Sequence, residues 1–544
     1  MDREAYLKAI SDALLVWDVL VIGGGATGLG VAVDAASRGF KVLLLEQADF
    51  AKGTSSRSTK LVHGGVRYLA QGNLKLVNEA LHERGLLLKN APHLVHLQSF
   101  IIPAYSYFTK LFYGAGLTLY DLMARKLRIH KTGLLSKDTV VRLLPTIKQK
   151  GLKGGVEYYD GQFDDSRLAV NLAQTCAEKG GVLLNYITVT GLVKDGNGKV
   201  VGVKALDRES GRAFELKSIV VINATGVFVD DVLQMDAPGL HPLVRPSRGV
   251  HVVLAKSFLP GSSALMIPET PDGRVLFAVP WHDHVLVGTT DTPLDKSSLE
   301  PGASDQEIDF ILETAGQYLA KKPTRGDVLS VFAGLRPLAA PAKGTGSTKE
   351  ISRSHKLVVS PSGLVTITGG KWTTYRKMAE DTIDKAIIAG NLPAGACVTA
   401  AVKIHGYPGA GNLTGENAHL AIYGSDAQAI LDLTAAQPDL GRKLHPAFSN
   451  SYAEVVWAVR YEMARTIEDV LARRLRILFL DARAAIDMAP IVAGIMAAEL
   501  GQNAAWQQAQ VKQFTELASS YLPKPYPPVI RENGNYDLLN YTNP

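Results

Sequence analysis

The chain has 544 residues, of which 46% are hydrophobic and 20% are charged. This balance is typical of globular proteins and excludes a disordered chain, a coiled coil and a collagen-like polymer. At about 150 residues per domain, the length predicts three or four structural units. Lys and Arg exceed Asp and Glu by only six. This dispersed excess suits an acidic substrate or an anionic lipid surface, and we expect no nucleic-acid partner.

Side chains that bind metals or form disulfides are sparse. Cys176 and Cys397 are too few for a disulfide framework or a thiolate cluster, and the pair His282 and His284 lacks an acid at zinc-site spacing. The charged amino terminus lacks the apolar core of a signal peptide, and no run approaches the roughly 20 apolar residues that span a bilayer. We therefore expect no metal, a cytoplasmic location and, if there is a membrane contact, a peripheral one.

A βαβ unit is predicted close to the amino terminus. A β-rich run at 17–22 enters the sequence GGGATG at 23–28, a helical pattern follows, and a second strand at 41–45 ends at Glu46. In such a turn the first glycine permits a tight bend, the second lets a pyrophosphate approach the backbone, and the third lets the helix pack on the strand. These glycines are Gly23, Gly25 and Gly28.

The same unit carries the other groups that a dinucleotide needs. The start of its helix offers free N–H groups to phosphates, and Glu46 stands where a carboxylate accepts hydrogen bonds from ribose hydroxyls. The unit therefore predicts dinucleotide binding, although it does not separate NAD from FAD.

A long polar loop follows the second strand, at 53–68. It is rich in hydroxyls and glycine and is long for a connection in a simple nicotinamide domain. One interpretation is a solvated loop. The other is a loop that wraps a flavin, with hydroxyls on phosphate and ribityl oxygens and with Gly64 and Gly65 against the flat ring.

The sequence of this loop, SSRSTKLVHGGVRYL at 55–69, resembles the FAD-dependent glycerol-3-phosphate dehydrogenases, which are aerobic and quinone-linked. The resemblance runs through about the first 390 residues in the family's order, with further matches at 79–84, 91–94, 332–338 and 369–376, and in the C-terminal part at 459–466. It implies a flavoenzyme that oxidises sn-glycerol 3-phosphate to dihydroxyacetone phosphate with FAD as the hydride acceptor.

Two further strand patterns, 220–226 and 366–370, end in small residues and are typical of backbone that approaches a cofactor. With the resemblance, they complete a set of predicted FAD-binding residues: Gly23, Gly25, Gly28, Glu46, Thr54, Ser55, Ser58, Lys60, Leu61, His63, Gly64, Val189, Ala224, Gly226, Gly370, Lys371 and Thr373.

Arginines in three distant segments are the candidate substrate ligands. Each one singly is compatible with a solvated surface position, whereas together they would bind a phosphate dianion through bidentate hydrogen bonds. The resemblance implies that they converge, and the predicted substrate-binding residues are Arg67, Tyr68, Arg336, Arg353 and Lys371.

Oxidation of a secondary alcohol requires a group that removes the hydroxyl proton. His251 begins an apolar β-run and, from the residues alone, is compatible with a hydrogen-bonded core histidine. The resemblance implies an active-site role for it, with Arg336 and Lys371 as the other catalytic residues that stabilise developing negative charge. The identity of the proton acceptor stays open at this point.

The predicted fold is α/β, with a discontinuous FAD-binding Rossmann-like domain, an inserted antiparallel-β substrate domain and an all-helical C-terminal domain. The FAD-dependent region spans 15–390, and apolar residues between 455 and 471 are predicted to share one helical stripe, with a second helix ending at Gly501. The predicted nucleotide-binding pieces are 17–68, 182–230 and 357–385, the substrate-domain pieces are 86–165 and 240–350, the helical domain is 400–524, and the tail is 525–544.

An aromatic-rich segment with flanking basic residues lies between 100 and 130. It suits either contact with anionic lipid or packing on the substrate domain. The resemblance implies peripheral attachment to the inner face of the cell membrane, with ubiquinone or menaquinone as the electron acceptor, and a homodimer is also considered. The alternatives are an oxidase that passes electrons to O2 and forms H2O2, and a non-catalytic module that binds FAD or lipid.

Overall fold

The computed structural model describes residues 1–65, 74–123, 130–270, 273–340, 355–409, 411 and 413–524. Their strands are β1 (Val16–Ile22), β2 (Val42–Leu45), β3 (Leu61–Val62), β4 (Val95–Ala104), β5 (Gly133–Leu135), β6 (Gly154–Phe163), β7 (Val182–Leu184), β8 (Ile187–Lys194), β9 (Val200–Asp207), β10 (Ala213–Asn223), β11 (Val244–Ala255), β12 (Ala264–Ile267), β13 (Leu276–Trp281), β14 (His284–Gly288), β15 (Thr292–Pro293), β16 (Val328–Ala339), β17 (His355–Val359) and β18 (Val365–Gly369).

The α-helices of the same residues are α1 (Arg3–Ile10), α2 (Ala26–Ser37), α3 (Leu74–Asn90), α4 (Tyr107–Met123), α5 (Lys137–Leu143), α6 (Asp165–Glu178), α7 (Val229–Asp236), α8 (Asp305–Tyr318), α9 (Tyr375–Gly390), α10 (Ala427–Ala436), α11 (Tyr452–Glu462), α12 (Ile477–Leu480), α13 (Ala482–Leu500) and α14 (Ala504–Ser519). Tighter 3₁₀ turns include Thr54–Ser56 and Trp372–Thr374, and Asp469–Arg474 forms a π-helical turn.

The first sheet has the strand order β17-β18-β10-β1-β2-β7, and its central strands run parallel. Strands buried on both faces need continuous apolar sequence, which β2 and the second half of β1 provide. Helix α2 covers one face between α6 and α9. A hairpin of β8 and β9 extends the sheet from the first half of β10. In such a sheet, ligands bind beyond the carboxyl ends of the parallel strands.

The second sheet has the order β15-β11-β14-β13-β12-β4-β6-β3, with β16 paired along β11 and β5 paired with β6. Its pairs are antiparallel except for β12 and β4. The apolar face of β11 packs on α8 through Val252 and Leu254 against Ile311. The long β11–β16 pair brings two predicted site residues, His251 and Arg336, to the side of this sheet that faces the first one.

Helices α10 to α14 form an apolar core at the carboxyl end of the described chain, and this core also includes Val253, Trp281, Leu286 and Phe332 of the second sheet. The predicted single stripe between 455 and 471 is wrong as one helix: α11 ends at Glu462, Met463 takes a left-handed conformation at φ 57°, and its N–H bonds back to the carbonyl of Ala458. The stripe side chains are largely buried all the same. The stop predicted at Gly501 is confirmed, at φ 65°. The two mixed sheets and the helical domain confirm the predicted fold class.

Buried ion pairs join the helical domain to the first sheet. Arg474 donates two hydrogen bonds to Asp49, at 2.7 and 2.9 Å, and Arg473 donates a third at 2.5 Å. Burial would raise the pKa of Asp49, but the guanidinium groups of Arg474 and Arg473 lower it to about 2. A second buried pair joins Arg167 of α6 to Glu462 of α11. Removal of one partner from such a pair leaves an uncompensated charge out of water.

We therefore expect Asp49→Asn to lower the free energy of unfolding by about 3–5 kcal/mol, measured by urea denaturation. The matched control is Lys443→Ala, which breaks an exposed pair with Glu416 in the helical domain and should change stability by at most about 1 kcal/mol. Equal effects of the two substitutions would contradict the account of this interface.

Candidate active site

A cleft opens where β1 and β2 end. Gly23 follows β1 at φ 108°, and a Cβ there would lie 2.8 Å from the carbonyl oxygen of Ala224. A Cβ on Gly28 would lie 1.9 Å from the carbonyl oxygen of Gly23. The turn and α2 therefore pack so closely that only glycine fits at both positions.

The start of α2 faces this cleft. Gly25 precedes the helix and supplies no side-chain cap, and the N–H of Ala26 donates to the Ser55 hydroxyl at 2.8 Å. Glu46 lies at the end of β2 and accepts hydrogen bonds from the N–H groups of Gly24, at 2.6 Å, and Ala48, at 2.9 Å. Burial raises the pKa of Glu46, and these two donors oppose that shift.

The first compartment of the cleft lies between the ends of β1, β2, β10 and β18. Backbone N–H groups at a helix start, a carboxylate and closely approaching glycines suit a dinucleotide, so the residues present fit FAD. The predicted cofactor residues in its lining are Gly23, Gly25, Glu46, Thr54, Ser55, Val189, Ala224, Gly226, Gly370 and Lys371, while Gly28 lies directly behind the turn.

A second compartment continues from the first. The two share Thr54, Gly370 and Lys371, and Trp372 donates to the carbonyl of Ser55 at 2.8 Å, which ties the turn after β18 to the polar loop. Of the predicted residues, His251, Arg336, Lys371, Ser58, Leu61, His63 and Thr373 line this compartment. The structure thus brings together the three side chains predicted to be catalytic.

His251 is 2% exposed and stacks on Phe332, with ring centroids 5.0 Å apart. Its Nε2 lies 2.9 Å from the hydroxyl oxygen of Thr59. Burial, and then the charges of Lys60 and Arg336, lower the pKa of His251 well below its usual range. The imidazole is therefore neutral at neutral pH.

Arg336 is fixed by groups from the segment after β14. Its guanidinium donates to the carbonyl of Thr290 at 3.1 Å and to the hydroxyl of Thr289 at 3.2 Å, and lies 3.3 Å from Asp291. The hydroxyl of Ser247 also donates to Asp291. These contacts orient a cation at the point where the second compartment meets a third cavity, which Arg336 also lines.

Other predicted cofactor residues also have protein partners. The Ser58 hydroxyl donates to Asp165 at 2.6 Å, the N–H of Gly64 donates to the hydroxyl of Tyr120 at 2.8 Å, and the buried ammonium of Lys60 donates to Asp165 at 2.7 Å. The Lys60 side chain therefore points away from the cleft, toward Asp165, which balances its charge.

Arg67, Tyr68 and Arg353 lie outside the described residues. The sequence did not predict four residues whose contacts order the second compartment: Thr59, Asp165, Asp291 and Arg476. Thr59 stands within the segment that carries the resemblance, and Arg476 follows an apolar helical run. The only signal in the sequence for Arg476 was a charged residue directly next to an apolar run.

Comparison with known proteins gives matches along most of the chain. A family model described as FAD dependent oxidoreductase matches residues 18–376, and one described as the C-terminal domain of alpha-glycerophosphate oxidase matches residues 365–510. A mitochondrial glycerol-3-phosphate dehydrogenase of Arabidopsis thaliana is 41% identical over 93% of this chain and 86% of its own length.

Solved structures agree. The glycerol-3-phosphate dehydrogenase from Bacillus halodurans, complexed with FAD, is 28% identical, covers 96% of this chain and 98% of its own, and superposes with a TM-score of 0.77. The L-alpha-glycerophosphate oxidase from Mycoplasma pneumoniae, with FAD bound, is 18% identical, covers 71% of this chain and 97% of its own, and has a TM-score of 0.52. The second likeness concerns the fold alone.

The turn geometry makes a prediction for cofactor affinity. Gly28→Ala should displace the turn at Gly23, and an overpacking cost of about 1–3 kcal/mol corresponds to roughly 5- to 150-fold weaker FAD binding, measured by fluorescence titration of the apoprotein. Gly494→Ala is the control, because a Cβ there meets no atom within 4 Å. Equal affinities in the two variants would show that the turn tolerates a side chain.

Proposed function

As the chain belongs to the family of FAD-dependent glycerol-3-phosphate dehydrogenases, we propose that it oxidises sn-glycerol 3-phosphate to dihydroxyacetone phosphate and passes the electrons to a membrane quinone. The observation that carries the proposal is the convergence of His251, Arg336 and Lys371 on one compartment next to the dinucleotide cleft. The names of the relatives support the substrate assignment.

The charges of this compartment suit a phosphate ester. Arg336 and Lys371 place two cations at its wall, which suits a substrate that carries a negatively charged phosphate group. Arg274 lines the adjoining third cavity together with Arg336. Arg67, Tyr68 and Arg353 stay predictions as further ligands.

Bound FAD would supply the acceptor for the hydride that leaves the substrate carbon. The imidazole of His251, which lines the same compartment, would take up the hydroxyl proton. Arg336 would stabilise the negative charge that develops on the substrate oxygen, because its guanidinium is already oriented by Thr289, Thr290 and Asp291.

The direct test is to add glycerol 3-phosphate to the holoenzyme without oxygen. We expect the flavin absorbance near 450 nm to bleach, and an unbleached spectrum would overturn the substrate assignment and favour the non-catalytic module. Arg336→Ala should retain FAD and lose about 100- to 1,000-fold in kcat/KM. Arg212→Ala, at an exposed position, is the control and should bleach as the wild type does.

The acceptor is tested by reoxidation of the bleached enzyme. We expect a soluble quinone analogue to restore the flavin absorbance much faster than air-saturated buffer does, with little H2O2. Faster recovery with oxygen, with stoichiometric H2O2, would favour the oxidase alternative.

Helix α4 supports a membrane contact. Phe108 is 78% exposed and Phe112 is 59% exposed, and Tyr107, Leu111 and Leu119 extend the same exposed apolar surface. The opposite face packs inward through Leu117 and Tyr120. Among the described helices, none has both the length and the apolarity of a membrane span. An exposed aromatic surface of this kind suits shallow insertion into lipid, and we propose attachment to the inner face of the cell membrane.

We expect the double substitution Phe108→Ser and Phe112→Ser to reduce binding to anionic phospholipid vesicles by at least about 10-fold. The reason is that burial of each phenyl group in the lipid would contribute about 1.5–3 kcal/mol to the binding free energy. Cosedimentation measures the bound fraction. The control is Ile388→Ser, since Ile388 is 75% exposed on α9. If all variants bind alike, α4 is not the contact surface.

A further inference from the structure

The carboxylate of Asp165, at the first position of α6, is fully buried and accepts hydrogen bonds from several directions. Its Oδ2 accepts from the N–H of Ser58 at 3.0 Å, from the Ser58 hydroxyl at 2.6 Å and from the ammonium of Lys60 at 2.7 Å. Its Oδ1 accepts from Arg476 at 2.9 Å and from the N–H of Ser166 at 2.8 Å. One carboxylate thus holds two positions of the polar loop.

The carbonyl oxygen of Ser56 is a second shared acceptor. It accepts from Lys60 at 2.8 Å and from Arg476 at 3.0 Å. Lys60 itself has a left-handed backbone at φ 63°. The loop between residues 56 and 60 is therefore closed at both ends, and this closure directs Thr59 toward His251.

Arg476 belongs to the helical C-terminal domain, directly before α12. Its guanidinium lies 4.6 Å from the ring centroid of Phe479 and 5.3 Å from that of Trp281, and it also donates to the carbonyl of Ala472 at 2.8 Å. It is 1% exposed. A planar cation held between two rings has little freedom to follow a displaced loop.

Lys60 connects the same contacts to the histidine. Its ammonium lies 5.1 Å from the ring centroid of Phe332, and the same ring stacks on the imidazole of His251, with centroids 5.0 Å apart. The Thr59 hydroxyl completes the connection, 2.9 Å from Nε2 of His251. Displacement of Lys60 would therefore change the position of the His251 imidazole.

We propose that Asp165 and Arg476 are positioning residues for the oxidation: they hold the loop from Ser56 to Lys60 so that Thr59 orients the imidazole of His251, and the helical domain is in this way a component of the active site. The inference rests on the proposed function for its kinetic consequence. The hydrogen bond between Thr59 and His251 is independent of it.

The test compares Arg476→Met, which removes the donors, with Arg476→Lys, which keeps a cation with three donors, in the FAD-loaded full chain. We expect Arg476→Met to lower kcat per bound flavin about 10- to 100-fold, because misplacement by about 1 Å costs this much, with KM changed less than threefold. Arg476→Lys should recover most of kcat. The imidazole ¹⁵N signals of His251, assigned with His251→Asn, should shift in Arg476→Met and return toward their wild-type position in Arg476→Lys.

The control is Arg167→Lys, a buried arginine on α6 that pairs with Glu462 and does not contact the loop. It should lower the melting temperature while leaving kcat per flavin and the His251 signals unchanged. If Arg476→Met fails to fold, Ser58→Ala removes the loop side of the same contact and should shift the same signals.

A merely structural role predicts that activity falls only with the amount of folded holoenzyme, and unchanged kcat per flavin together with unchanged His251 signals would overturn the proposal. Failure of the wild type to oxidise glycerol 3-phosphate would instead overturn the proposed function, because the His251 signals report the contact without substrate.

Discussion

The buried carboxylate of Asp165 is the interaction on which the arrangement of the second compartment depends. A charge out of water is tolerated only when donors surround it, and the donors here come from three parts of the chain: the loop after β2, the first turn of α6 and the helical domain. Because each of these donors is needed, the three segments have little freedom to move apart. The loop that carries Thr59 is therefore held in one position.

The same requirement operates at two other charged contacts of the helical domain. Asp49 pairs with Arg473 and Arg474, and Glu462 pairs with Arg167. The helical domain therefore meets the first sheet and α6 through charged contacts, whereas its apolar core is continuous with buried residues of the second sheet. Such pairs contribute little net stability but are costly to break. We infer that these ion pairs determine the orientation of the helical domain relative to the cleft, whereas the apolar side chains of the domain account for its folding.

The sequence predicted well whatever depends on local spacing. The turn at Gly23, Gly25 and Gly28 has a strict pattern, and the convergence of His251, Arg336 and Lys371 came from the resemblance. The contact between Asp165 and Arg476 joins residues 311 positions apart, and no periodicity identifies such a partner. Apolar periodicity also overlooked the break at Met463, because it reports burial and two successive elements can bury the same side of the chain.

In the proposed arrangement, the loop and the helical domain act on the active site through one shared contact. A double-mutant cycle of Ser58→Ala and Arg476→Met, measured on kcat per bound flavin, shows whether the two residues act together. We predict a coupling free energy of about 1 kcal/mol or more, since residues in one hydrogen-bond network are non-additive. Additivity to within about 0.3–0.5 kcal/mol would mean that the two residues act separately and would contradict the claim.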